Sequence, residues 1–167
     1  MGKVQVAKSD VSQVSNLAHT SSLLYHSYLS SPLYGLHPDR PYTPVVNWVG
    51  FYVRPPSSTS PHHLDVGPYN GRPACTSINT VPGKGVCADA FVSGRERVVP
   101  DVSVYPGHIA CDGETKAEIV IPLRILSLPE PVGVLDLDST ILGTFDDDDL
   151  AGLLLIVDIL GEICEWA

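Results

Sequence analysis

The sequence has few basic residues and no long apolar segment, and these two shortages narrow the classes of function. Ten Lys and Arg residues stand against 19 Asp and Glu residues, which gives a formal net charge of −9. A nucleic-acid-binding surface needs a basic patch, so this charge argues against a nucleic-acid partner. The longest apolar run, residues 150–157, has eight residues. A membrane-spanning helix needs about 20, so we expect no membrane insertion.

The first residues also lack the features of a secretory signal. Residues 1–16 alternate valine with polar residues and contain no apolar h-region. We therefore expect a cytoplasmic protein, with a nuclear presence left open. Persistent disulfides are uncommon in that reducing compartment, so its cysteines are core residues, metal ligands or redox-active thiols. There are four of them: Cys75, Cys87, Cys111 and Cys164.

The cysteines lack the paired spacing of a structural zinc site. No two of them form a C-x₂₋₄-C pair, so a zinc site made from Cys75, Cys87, His108 and Cys111 is disfavoured, and we predict no metal. Cys164 lies on an apolar helix face and suits an inert core position. Cys111 instead lies in a polar, glycine-containing loop. For the other three cysteines the residues alone leave two interpretations open, namely inert thiols or a redox trio of attacking and resolving thiols.

The hydrophobic periodicity predicts the order helix, three strands, helix, three strands, helix. Short turns between consecutive strands favour an antiparallel sheet in one α+β domain. The final helix begins with the acidic run Asp146–Asp149, which we assign to helix capping. The predicted helices cover residues 11–29, 82–94 and 144–167, the strands cover 45–54, 63–71, 74–80, 98–102, 117–126 and 131–140, and residues 103–116 form a loop.

Three carboxylates and two aromatic residues are predicted on strands. Asp136 and Asp138 are two positions apart and therefore point to the same face, and Glu118 begins the neighbouring strand. A solvated sheet face is the usual explanation. However, three carboxylates on one face repel one another unless a cation, either a metal or a ligand ammonium, lies among them. Trp48 and Tyr52 share a face of their strand, as core residues or as an aromatic wall of the same pocket.

Five segments of the sequence together resemble the free methionine-(R)-sulfoxide reductases, which are built on a GAF domain. These segments are NWVGFYV, LDVGPYNGRPACTSI, GKGVCADAF, VVPDVSVYPGHIACDGETKAEIVIPL and GVLDLDS, and the match runs from about Asn47 to Ser139. The resemblance implies a single GAF domain over residues 1–167. Its core would be residues 45–140, with a central antiparallel sheet of about six strands, and its flanking helices would be about 9–30 and 146–166.

The resemblance also implies roles for the three loop and element-end cysteines. Cys111, in the GHIACD segment, is the expected nucleophile. Cys75, in PAC, is the expected resolving thiol that forms a disulfide with it. Cys87, in GVC, is the expected third redox cysteine, which receives or passes on the disulfide.

The same resemblance assigns five substrate-binding residues. Glu118, Asp136 and Asp138 match the acidic ligands of the substrate, which would hold the ammonium of a free amino acid by charge-assisted hydrogen bonds. Trp48 matches the aromatic wall for the methyl-sulfoxide end, with Tyr52 as its companion.

The implied reaction is the reduction of free methionine-R-sulfoxide to methionine. It proceeds through a sulfenic acid on the attacking cysteine and an intramolecular disulfide. The thioredoxin and NADPH system would supply the electrons, with no bound cofactor, in a homodimer that serves the response to oxidative stress. The alternative is a GAF sensor module that binds a small molecule without turnover.

Overall fold

Three helices pack against the two faces of one twisted sheet in the computed structural model, which describes residues 10–55, 62–109 and 112–166. The helices are α1 (Asp10–Ser30), α2 (Val86–Ser93) and α3 (Asp147–Ile163). The strands are β1 (Val46–Val53), β2 (His63–Gly71), β3 (Ser77–Asn79), β4 (Arg97–Val99), β5 (Ala117–Leu123) and β6 (Gly133–Ser139). The predicted α+β class and element order are confirmed, although β3 and β4 are shorter than predicted. Because the limits of the domain are not tested by these elements, they stay a prediction.

The sheet is antiparallel throughout, with the strand order β3-β2-β1-β6-β5-β4. β5 and β6 form a hairpin through the loop at residues 124–132, as predicted. β1 pairs with β6 on one side and β2 on the other, so β1, β6 and β5 lie at the centre. This arrangement brings the acidic strand β6 between the aromatic strand β1 and the strand that carries Glu118.

The two sheet faces carry separate cores because side chains alternate along each strand. On one face, α1 and α3 cover a core that includes Phe51, Leu135, Leu137 and Cys164, and the core position predicted for Cys164 is confirmed. On the other face, α2 covers a smaller cluster. Its members include Trp48, Tyr52, Leu64, Val86, Cys87, Phe91, Val120 and Val134. Asp136 and Asp138 belong to this second face, because they alternate with the two leucines.

Local signals fix the helix ends. Asp146 caps α3, and its side chain accepts hydrogen bonds from the backbone N–H groups of Asp148 and Asp149. The Asp149 side chain accepts from the Asp146 N–H in return, so the predicted capping function of the acidic run is confirmed. α2 ends at Gly94 in the left-handed conformation.

Within the described ranges, no helix combines the length and the apolar character that crossing a membrane requires.

The loop after β4 is held close to the loop before α2. The Asp89 carboxylate accepts a hydrogen bond from the Gly83 N–H at 2.6 Å and one from the Tyr105 hydroxyl at 2.8 Å. Gly107 has a φ of +76°, and a Cβ at this position would overlap the Gly83 carbonyl oxygen. Glycine is therefore required where these two loops meet.

We predict that Gly107→Ala lowers the free energy of unfolding by about 1–3 kcal/mol, because an alanine is strained at this φ and collides with Gly83. Thermal unfolding followed by circular dichroism measures the change. Gly113→Ala is the matched control, since a Cβ at Gly113 meets no atom within 4 Å. Equal unfolding temperatures for the two variants would contradict the close approach of the loops.

Candidate active site

Three carboxyl groups meet on the α2 side of the sheet, and we call Glu118, Asp136 and Asp138 the acidic triad. Glu118 pairs directly with Asp138 across β5 and β6, and Asp136 is two positions further along β6. Glu118 is 6% exposed and Asp136 is 5% exposed, whereas Asp138 keeps partial contact with solvent. The expected shared face is confirmed. The alternative of an ordinary solvated face is wrong, because α2 and its neighbouring loops cover the triad.

The triad forms the base of a cleft with a cavity volume of about 70 Å³. The start of α2 forms one wall, β3 and the residues before it form another, and the loop after β4 forms the rim. The described lining residues are Tyr52, Ala74, Ser77, Ile78, Lys84, Gly85, Val86, Cys87, His108, Ile109, Thr115 and the triad.

The Cys87 thiol lies at the bottom of this cleft beside two members of the triad. It is a free thiol, and its Sγ lies 3.8 Å from Glu118 Oε1. Burial raises the pKa of the Cys87 thiol well above its ordinary value, and the negative charges of Asp136 and Glu118 raise it further. Cys87 is therefore protonated at neutral pH while the cleft holds no cation.

Two members of the acidic triad, Asp136 and Asp138, hold their protons more tightly than ordinary carboxyl groups do. Burial raises the pKa of Asp136, and the charges of Asp138 and Glu118 raise it further. Burial also raises the pKa of Asp138, with added contributions from Glu118 and Asp112. Asp136 Oδ1 is buried and has no hydrogen-bond partner among the described residues. The site therefore offers both a carboxylic acid that can donate a proton and an acceptor that lacks a donor.

The two predicted aromatic residues take different positions. Tyr52 lines the cleft, and burial raises the pKa of its phenol, with a further contribution from Asp136. Trp48 does not line the cleft and lies behind Tyr52. The two rings stack with centroids 5.6 Å apart, and Tyr69 stacks on the other side of Trp48 at 5.4 Å. Tyr52, expected only as the companion, lines the cleft and stacks on Trp48, and the substrate-binding role of Trp48 stays a prediction.

The predicted nucleophile, Cys111, lies outside the described residues, but residues on both sides of it are anchored to the sheet or its edge. His108 Nε2 lies 3.5 Å from Glu118 Oε2, and both side chains are largely buried. On the other side, Asp112 Oδ2 accepts a hydrogen bond from Asn47 Nδ2 at 3.1 Å and lies 3.7 Å from Arg72 Nη1. The loop is therefore fixed to β5, β1 and the end of β2.

Cys75, the predicted resolving cysteine, is disulfide-bonded in the structure, and its neighbour Ala74 lines the cleft. Cys75 and Cys87 therefore differ in redox state, because Cys87 is a free thiol. The pairing of Cys75 with Cys111 stays a prediction.

Several lining residues had no predicted role in the site. His108 was considered only as a zinc ligand, yet from the rim loop it contacts Glu118 at the base of the cleft. Thr115 and Ile78 line the cleft without any signal in the sequence, because a lone threonine in a loop or an isoleucine in a three-residue strand has no distinctive pattern. For His108, the signal was its position three residues before the predicted nucleophile.

The chain is similar to known proteins over most of its length. It is 39% identical over 159 residues to the free methionine-R-sulfoxide reductase of Saccharomyces cerevisiae, which covers 95% of this chain and 79% of that protein. A solved structure named as the structure of the GAF domain has a TM-score of 0.80 at 38% identity, covering 93% of this chain and 79% of the other. No protein-family model matches the chain. The GAF fold expected from the resemblance is confirmed.

A second solved structure contains a bound substrate. It is the free methionine-R-sulfoxide reductase of Neisseria meningitidis in complex with its substrate. It has a TM-score of 0.73 and 30% identity, and the match covers 97% of this chain and 95% of that one.

We predict that Asp136→Asn stabilises the fold at neutral pH. The pKa of Asp136 is raised by folding, so the folded protein holds this proton more tightly than the unfolded chain, where the pKa is about 3.9. Stability is then lost as the pH rises through the folded pKa. The asparagine removes that loss, and we expect a gain of about 1–2 kcal/mol, or roughly 2–8 °C, at pH 7.5.

The gain should shrink at pH 4, because the Asp136 carboxyl group of the native protein is then protonated and neutral, like the asparagine amide. Thermal unfolding at both pH values provides the test, with the exposed Asp158→Asn as the matched control. An equal gain at both pH values, or the same gain in the control, would contradict the raised pKa of Asp136.

Proposed function

Because the chain belongs to the family of free methionine-R-sulfoxide reductases, we propose that it reduces free methionine-R-sulfoxide to methionine. The observation that carries this proposal is the acidic triad at the base of the cleft, where Asp136 Oδ1 has no hydrogen-bond partner among the residues that the structure describes. The substrate is zwitterionic, and its ammonium supplies the positive charge that the triad lacks. The sensor alternative is not favoured, since two of the three proteins reported above are free methionine-R-sulfoxide reductases by name.

The triad would select the free amino acid. An ammonium donates charge-assisted hydrogen bonds to carboxylates, and these are roughly twice as strong as bonds between neutral groups. Methionine sulfoxide inside a peptide has an amide in place of the ammonium. It would leave Asp136 Oδ1 without a charged donor, so the buried repulsion within the triad would persist. The amide therefore binds with a penalty that the free amino acid avoids.

The first chemical step uses a proton from the triad and the sulfur of Cys111. A carboxylic acid transfers its proton to the sulfoxide oxygen, which makes the sulfoxide sulfur more electrophilic. The Cys111 thiol gives its proton to the carboxylate, and its sulfur attacks the sulfoxide sulfur, so that a sulfur–sulfur bond forms while the sulfur–oxygen bond breaks and hydroxide leaves. Hydroxide then attacks the Cys111 sulfur, the sulfur–sulfur bond breaks, and Cys111 becomes a sulfenic acid. Methionine is released. The substrate gains the two electrons that the cysteine sulfur loses.

The remaining steps restore the Cys111 thiol by way of a disulfide. The Cys75 thiol condenses with the Cys111 sulfenic acid, which forms a disulfide and releases water. The disulfide seen at Cys75 and the position of Ala74 at the cleft support this role. Thioredoxin, with NADPH as the electron source, would then reduce the disulfide by thiol–disulfide exchange.

Cys87 would exchange after Cys75 rather than before it. Thiol–disulfide exchange requires a thiolate, and the pKa of the buried Cys87 thiol is raised well above the ordinary value. Its low accessibility also keeps a protein reductant away from it. We therefore assign Cys87 the third redox position.

We also propose a cytoplasmic homodimer that acts in the response to oxidative stress. α3 carries exposed apolar side chains at Leu154, Leu155, Ile159 and Ile163, and these would be covered in a dimer. The reducing compartment suits a thiol enzyme that depends on thioredoxin.

We expect Cys111→Ser to abolish turnover of free methionine-R-sulfoxide, because a hydroxyl cannot accept the oxygen as a sulfenic acid. NADPH oxidation coupled through thioredoxin and its reductase measures the rate. Cys164→Ala is the matched control, since Cys164 is buried in the core on the opposite face of the sheet and should retain turnover. Activity at the native rate in Cys111→Ser would overturn the proposed mechanism.

A further inference from the structure

We propose that Cys87, Glu118 and Asp136 form a binding site for a thiophilic divalent cation, with zinc as the experimental probe. These residues lie at the base of the cleft, below the described rim. Metal binding by this group does not depend on the reductase activity. Only one consequence, that the cation excludes the substrate ammonium from Asp136, rests on the proposed function.

The geometry of the three ligand atoms suits one metal ion. One atom from each residue, the Cys87 sulfur and a carboxylate oxygen of Glu118 and of Asp136, lies within 4.8 Å of the other two. A tetrahedral zinc ion with bonds of about 2.3 Å to sulfur and about 2.1 Å to oxygen separates these two ligands by roughly 3.6 Å. The Cys87 Sγ and Glu118 Oε1 are 3.8 Å apart in the structure. This pair of ligands therefore needs only a small adjustment to bind zinc.

A second observation points to a ligand at this position. Asp136 is 5% exposed, and its Oδ1 has no hydrogen-bond partner among the described residues. Buried carboxylate oxygens are normally satisfied, so an orphaned one indicates a missing partner. The cleft opens onto these residues, so a cation can enter from solvent and keep water as its fourth ligand.

The chemistry of the ligands selects the type of cation. A thiol loses its proton when it binds a metal, and the thiolate sulfur prefers zinc or similar soft ions to calcium or magnesium. The two carboxylates add negative charge that a dication neutralises more fully than a substrate ammonium does. A thiophilic dication is therefore the occupant that matches all three ligands.

This site differs from the zinc site that the cysteine spacing disfavours. That site would need Cys75, His108 and Cys111 in addition to Cys87. The site proposed here needs one cysteine, and Cys87 is a free thiol while Cys75 is disulfide-bonded. The two sites differ in whether the disulfide form of the protein can bind the metal. Only the site at Cys87, Glu118 and Asp136 keeps all its ligands in that form.

Isothermal titration of the full-length disulfide form with zinc chloride tests the proposal. We expect one site, with affinity at least tenfold weaker in Cys87→Ser and in Asp136→Asn. The second variant is included because it is expected to be more stable than the native chain, so that lost binding cannot reflect lost folding. Cys164→Ala serves as the cysteine control and should bind zinc like the native chain.

Calcium chloride should give at least tenfold weaker binding than zinc in the same titration. Absence of zinc binding would overturn the proposal, as would native affinity in Cys87→Ser or equal affinity for calcium and zinc. Binding that occurs only in the reduced protein would also overturn it, because it would assign the metal to the other cysteines.

Discussion

Repulsion among three carboxyl groups on one covered sheet face is the constraint on which the rest of the structure depends. Ligand atoms of Glu118 and Asp136 lie within 4.8 Å of each other. Two full charges at that distance repel by about 3 kcal/mol at an effective dielectric of about 20. The protein tolerates this cost by keeping Asp136 and Asp138 protonated more readily than ordinary carboxyl groups and by packing an apolar core on the other face of the same strands. A cation in the cleft removes the repulsion. The same carboxyl groups therefore favour binding of a cation and lower the stability of the folded protein when the cleft is empty.

The sequence contains enough local information to predict the strands and the shared face of β6. Asp136 and Asp138 alternate with Leu135 and Leu137. Because successive side chains of a strand point to opposite faces, the aspartates and the leucines cannot share a face. The core position of Cys164 follows from its apolar neighbours in the same way. These predictions depend only on residues close together in the chain, where backbone geometry alone decides the direction of each side chain.

Contacts between distant segments could not be predicted from such patterns. Glu118 faces Asp138 because the hairpin at residues 124–132 sets the register, and nothing in that loop specifies which residue pairs with which. Tyr52 and Trp48 share a face, but the way α2 and β3 cover the sheet decides which of them reaches the cleft. His108 is brought to Glu118 by a loop whose path depends on hydrogen bonds to Asp89 and on a close approach of glycines. The resemblance to a known family supplied one of these contacts, the grouping of Glu118 with the acids of β6, but it gave neither the role of His108 nor the position of Tyr52 at the cleft.

The most direct measurement is thioredoxin-coupled NADPH oxidation with separated substrates: free methionine-R-sulfoxide, free methionine-S-sulfoxide and N-acetylmethionine-R-sulfoxide. We expect turnover of the free R-form alone, because the proposed reaction takes that form and the proposed role of the acidic triad is to bind the ammonium. Turnover of the N-acetylated R-form at the rate of the free R-form would contradict the central claim that the buried carboxylates select a free amino acid by its charge.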